Sequence, residues 1–227
     1  MGHSHGHGHH HHGDIINPHV QQSLREYQNY FWLFAVGLVS AAGEFLLALL
    51  LANSVSAQAD AIHSLTHIAL YAFALWISRQ IYTRQMNPQE AYDYRDTFLI
   101  FYVLPVFLGL AWILYTSVTK LFSPEHVLSS YMLASVGIGL AGNIIALKIL
   151  NTISKIHGEA VRHHTAHRWL SLDTWGDFAF SLIVLITSIM GMAFPLLPIN
   201  MIDLVVSTAG VIWIGWSGIQ IIRKKTI

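Results

Sequence analysis

Six apolar runs, each about 20 residues or slightly longer and so able to cross a hydrocarbon core of about 30 Å, constrain this chain more than any other feature. They extend from Phe31 to Ala52, Ser56 to Ser78, Thr97 to Thr119, Val127 to Leu150, Trp169 to Gly191 and Ile199 to Ile222. In lipid every backbone N–H and C=O must find its partner within the protein, which leaves helices for runs of this length. The expectation is an all-α polytopic membrane protein, a bundle of six transmembrane helices with little else. Only 11% of the 227 residues are charged against 54% hydrophobic, far from the soluble average. Asn53 and Ser54 link the first two runs, and Phe194-Pro195-Leu196-Leu197-Pro198 links the last two, so both pairs are expected to form tight hairpins.

Charge placement predicts orientation, because Lys and Arg that flank membrane helices stay in the cytoplasm. Arg25, Arg79, Arg84, Arg95, Lys148, Lys155, Arg162, Arg168, Arg223, Lys224 and Lys225 fall on one side of this topology and Lys120 alone on the other. Both termini are therefore expected to be cytoplasmic. The twelve basic residues balance twelve acidic ones, so no nucleic-acid partner is expected, and lipid is the surrounding partner. The N-terminus lacks the apolar core of a secretory signal peptide. Short loops suggest a prokaryotic inner membrane.

Cysteine is absent, so any metal site must use nitrogen and oxygen ligands. Histidine is abundant instead. Of its fifteen copies, eight lie in the first nineteen residues and four between His157 and His167. Residues 1–26 form a histidine-rich tail that reads either as an expression tag or as a natural weak metal collector. Residues 27–227 hold the six helices, with a histidine-rich loop over 151–168.

Ionisable residues within a bilayer are costly and mark function by default. His63 and His67 stand four apart on the second run, and Asp173 and Asp177 repeat that spacing on the fifth, so each pair projects from one helix face. Two imidazoles and two carboxylates can close a tetrahedral cage suited to Zn²⁺, with Co²⁺ and Cd²⁺ as competitors, whereas Mg²⁺ and Ca²⁺ prefer more oxygens. Two Asp⁻ and one divalent ion sum to zero charge, and the emptied cage would recruit protons, so proton-for-metal exchange is the expected mechanism. A hydrogen-bonded network is the plain alternative. One difficulty is geometric: on these boundaries the two pairs differ in depth by about 10 Å at 1.5 Å per residue. A cage forbids that, so the fifth helix is expected to start before Trp169.

These residues resemble the cation diffusion facilitators, proton-coupled exporters of zinc and related metals, and the resemblance covers nearly all of the chain. Ser54 to His67, with Ala59-Asp60-Ala61 before the ligand pair, is similar to the family's second-helix signature. Glu44 stands near the family's first-helix Glu, with one extra residue before that signature. Gly139-Leu140-Ala141-Gly142-Asn143 resembles the fourth helix; Arg168, Asp173 to Asp177 and Ser181 resemble the fifth, and Asp203 an acidic residue of the sixth. The resemblance implies a transport site at His63, His67, Asp173 and Asp177. It departs from the usual pattern of one His and one Asp on each helix. The family's cytoplasmic C-terminal domain has no counterpart after Lys225, so the homodimer that the family implies would be made by the helices.

Glu44 and Asp60 read either as path residues or as helix-packing hydrogen bonds. His157, His163, His164 and His167 read as a cytoplasmic metal collector or as a solvated loop. Asn143 is expected to be interhelical glue and Asp203 a helix-end or packing residue. No enzyme is expected, since an intramembrane metalloenzyme needs a general base beside an open coordination position and no His-Glu-x-x-His is present. A non-transporting metal sensor or modulatory subunit remains the other reading.

Overall fold

The computed structural model describes residues 18–83, 90, 94, 107–120, 122, 126–157, 165–194, 196 and 198–225. Among them there is no strand, and six long helices carry the chain. These are α1 (Pro18–Leu47), α2 (Val55–Tyr82), α3 (107–120 as described), α4 (Ser129–His157), α5 (Thr165–Ala193) and α6 (Ile199–Lys225). Four stretches, Gln21–Ala52, Val55–Tyr82, Ser129–Ile156 and Leu170–Ala193, are long and apolar enough to cross a membrane, and Ile199–Trp213 is a shorter apolar one.

Two boundaries differ from the sequence expectation. α1 starts at Pro18, so residues 18–26 are helix rather than tail; proline suits a first turn, where its missing N–H has no intrahelical partner to lose. The region read as a loop over 151–168 is helical at both ends, leaving only 158–164 outside the described residues. Apolar runs understate such helices because the ends extend past the lipid core, where polar residues are no obstacle to helix.

α1 closes in a π-helical turn, Ala48–Ala52, and the chain then reverses at Asn53, which adopts the left-handed region at φ 52. Asparagine tolerates that conformation better than most residues. Ser54 is the N-cap of α2, its hydroxyl accepting from the Ala57 N–H at 3.0 Å.

Contacts between helix ends establish the direction of every helix. Lys120 at the end of α3 donates to Asn53 O at 2.6 Å, Leu128 N donates to Ala52 O, and Gly191 near the end of α5 lies beside Ser129 and Ile199. Those groups define one end of the bundle. At the other, Gln22 Nε2 of α1 donates to Ile156 O of α4. α1, α3 and α5 therefore run one way, and α2, α4 and α6 the other. α2 is the most enclosed, with Val55 to Ala61 buried without interruption. Small residues allow this, since Ala41, Ala48, Ala52, Ala57, Ala59 and Ala61 are fully buried while Trp32, Val39, Trp112 and Val205 face outward, the arrangement lipid selects.

Candidate metal centre

Helix periodicity sets the site. His63 and His67 on α2 meet edge to face with ring centroids 4.6 Å apart, and Asp173 and Asp177 face them from antiparallel α5. His63 Nε2 lies 3.6 Å from Asp173 Oδ1 and 3.5 Å from Asp177 Oδ1; His67 Nδ1 lies 3.6 Å from Asp177 Oδ2, and His67 Nε2 2.8 Å from Asp173 Oδ2. All four predicted residues thus meet at one place. α5 begins at Thr165, four residues before Trp169, and the two pairs are level.

The cluster is held in an unusual electrostatic condition. His63, His67 and Asp177 are buried, while the Asp173 side chain is 17% exposed. Buried polar atoms normally find hydrogen-bond partners. Here both oxygens of Asp177 have none, and His67 Nε2 makes no hydrogen bond although it lies 2.8 Å from Asp173 Oδ2. Those three atoms belong to the candidate ligands. His63, His67 and Asp177 each offer an atom within 4.8 Å of the others. At metal–ligand bonds of 2.0–2.2 Å the edge of a tetrahedron is about 3.4 Å, close to the 3.5 and 3.6 Å separations observed. Asp173 lies beside this set, 3.6 Å from His63 Nε2 and 2.8 Å from His67 Nε2.

Three rungs connect α2 to α5. His67 faces Asp173, His63 faces Asp177, and one turn further Asp60 accepts from Ser181 Oγ at 3.0 and 2.9 Å on its two oxygens. Glu44 is buried beside the same stretch and accepts from Ser64 Oγ at 2.8 Å. Its carboxylate fits because α4 carries Gly139 there: a Cβ would lie 2.5 Å from Glu44 Oε1. Asp60 and Glu44 therefore sit next to the ligand pairs as hydrogen-bonded neighbours and not within the compact set.

Other residues were not legible as site components. Tyr71, one turn beyond His67, lies 3.5 Å from Thr174 Oγ1 through its hydroxyl and packs its ring near His67. The spacing His63, His67, Tyr71 is the signal that would have found it. Asp203, expected at a helix end or in packing, is 1% exposed and accepts from Ser54 Oγ (2.7 Å), Val55 N (2.7 Å), Ser56 N (3.2 Å) and Ser56 Oγ. It thereby fixes the start of α2 two turns before His63. Asn143, expected to bridge helices, is buried with Nδ2 unpaired among the described residues. His157 ends α4 and His167 lies in the first turn of α5, while His163, His164 and the tail histidines up to His12 fall outside the described residues.

A comparison with curated proteins gives no match. Among family models, the cation efflux transmembrane domain matches residues 31–226, from the lipid-spanning part of α1 to the last turn of α6. With apolar helices of membrane-crossing length and a buried His and Asp cluster between them that is compatible with metal binding, the chain belongs to the cation efflux family, integral membrane transporters of metal cations and not enzymes.

Proposed function

We propose that the chain exports a divalent transition metal, zinc ahead of cobalt or cadmium, by antiport with protons, and that His63, His67, Asp173 and Asp177 hold the ion in transit. The carrying observation is that both Asp177 oxygens are buried without a hydrogen bond and face His63 Nε2 and His67 Nδ1 at 3.5 and 3.6 Å, separations close to the edge of a tetrahedral shell. In this reading all six helices cross a prokaryotic inner membrane with both termini in the cytoplasm, residues 27–227 form the transport unit, and two copies pair through their helices. Arg25, Arg79 and Lys155 lie toward the bundle end that the reading makes cytoplasmic.

Loading starts at Asp173, whose side chain is the most exposed of the four. The ion exchanges its water for two imidazoles and two carboxylates, and the loaded cage is neutral, which limits the cost of holding it in a low-dielectric bundle. Release leaves two carboxylates behind. Protons taken from the far side neutralise them, and the same protons must depart before the next ion binds. The sign is fixed: on the loading side, apparent metal affinity falls as pH falls, about tenfold per pH unit for each proton displaced.

The test is metal movement in vesicles carrying the purified protein, across Zn²⁺, Co²⁺, Cd²⁺ and Mn²⁺, with and without an imposed pH gradient. Zinc should move fastest, with proton flux in the opposite direction. Metal movement indifferent to the gradient removes antiport; a different leading ion removes the zinc assignment.

A further inference from the structure

We propose that the groove between α4 and α5, on the outer surface of the bundle, binds an anionic phospholipid. The groove has a volume of about 530 Å³. Lys148, Asn151 and Ser154 line it along one stripe of α4, and Ser171 faces them from α5. Because these helices are antiparallel, Ser154 and Ser171 lie at the same end, the end of the His157 and Thr165 termini. Ile144 and Phe178 line the opposite end, toward the middle of the bundle. The groove is therefore graded from polar to apolar over about 15 Å, counting ten residues of α4 at 1.5 Å each. That gradient fits an amphiphile lying along the helices with its head at the polar end.

The sign of the head follows from Lys148. It lies within the apolar span Ser129–Ile156, where an ammonium is costly unless compensated. Among the described residues its ammonium makes no ion pair and no hydrogen bond; its backbone carbonyl accepts from Thr152. No carboxylate lines the groove. A phosphate would supply the missing charge, and the Asn151 amide and Ser171 hydroxyl would donate to its oxygens. Trp175, 56% exposed, sits between the polar and apolar ends of the groove. A second groove of about 510 Å³, between α3 and α6, offers the contrast: Phe107, Leu110 and Trp216 line it, with no charged side chain. Acyl chains suit that surface without any preference for a head.

The test uses the full chain in phosphatidylcholine vesicles containing rising fractions of a brominated-chain lipid, either phosphatidylglycerol or phosphatidylcholine. The readout is the part of tryptophan quenching that disappears in Trp175→Phe. Phosphatidylglycerol should half-quench at about fivefold lower mole fraction than phosphatidylcholine, Lys148→Gln should bring that ratio to about one, and Lys148→Arg should retain it. If Lys148→Gln does not fold, Ser171→Ala serves instead and should lower the ratio by about half. Equal quenching by the two lipids, or a preference untouched by these substitutions, overturns the proposal. So does loss of the preference on adding inorganic phosphate, which would assign the groove to a soluble anion, and so does absence of quenching at Trp175, which would mean that a second copy covers it.

Discussion

Asp177 and Asp203 are the same residue type, almost equally buried at 2% and 1% exposed, and they are held in opposite ways. Asp203 accepts two backbone N–H groups and two serine hydroxyls at the start of α2, so its charge is compensated entirely by dipoles. Asp177 accepts nothing: its two oxygens face His63 and His67 at 3.5 and 3.6 Å without a hydrogen bond. An unsatisfied buried carboxylate is costly, and that cost is tolerated where a donor would compete with an arriving cation. Hydrogen-bond saturation, and not burial, separates the carboxylate that builds the bundle from the one that faces its cargo.

Substitutions at the two positions should separate just as clearly. Asp177→Asn should lower zinc movement in vesicles at least about 100-fold while leaving thermal stability unchanged or raised, since its carboxylate oxygens have no hydrogen bond to lose. A stability loss equal to that of Asp203→Ala would erase the distinction. Asp203→Ala should cost about 3 kcal/mol in unfolding because several donors lose their acceptor at once, measured by thermal or denaturant unfolding in detergent. Retention of wild-type stability would show the cap to be idle. Ser181→Ala sharpens the contrast from beside the site: it removes a donor to both Asp60 oxygens and should weaken zinc binding by about tenfold or less, read by calorimetry, with little change in unfolding.

Much of the bundle is visible in the sequence because lipid imposes a length and a polarity on each span. The ligand pairs are visible because ionisable residues are rare in apolar helices, and two pairs at the same i, i+4 spacing are rarer still. Depth was not: the apparent offset of about 10 Å came from centring both runs on one plane, whereas the facing pairs show that α2 and α5 are staggered along their axes. The partners of Asp203 were also hidden, since Ser54 to Ser56 read as a polar link, and nothing local indicates that a residue nearly 150 positions away closes it. Tyr71 was passed over because an aromatic in an apolar helix is ordinarily packing. Glu44 and Asp60 were legible as buried acids, but their serine partners emerge only when α1, α2 and α5 come together.

The π-helical turn that ends α1 carries a further consequence. Such a turn closes its hydrogen bonds one residue later than an α-turn and so accommodates a single inserted residue. Ala48–Ala52 lies between Glu44 and the start of α2. The wide turn takes up one residue as a local bulge. Upstream, Glu44 keeps its angular setting against Gly139; downstream, Asn53 still turns the chain into the Ser54 cap. An insertion that would rotate a regular helix by about 100° is thus confined to one wide loop of backbone, and neither anchor has to move.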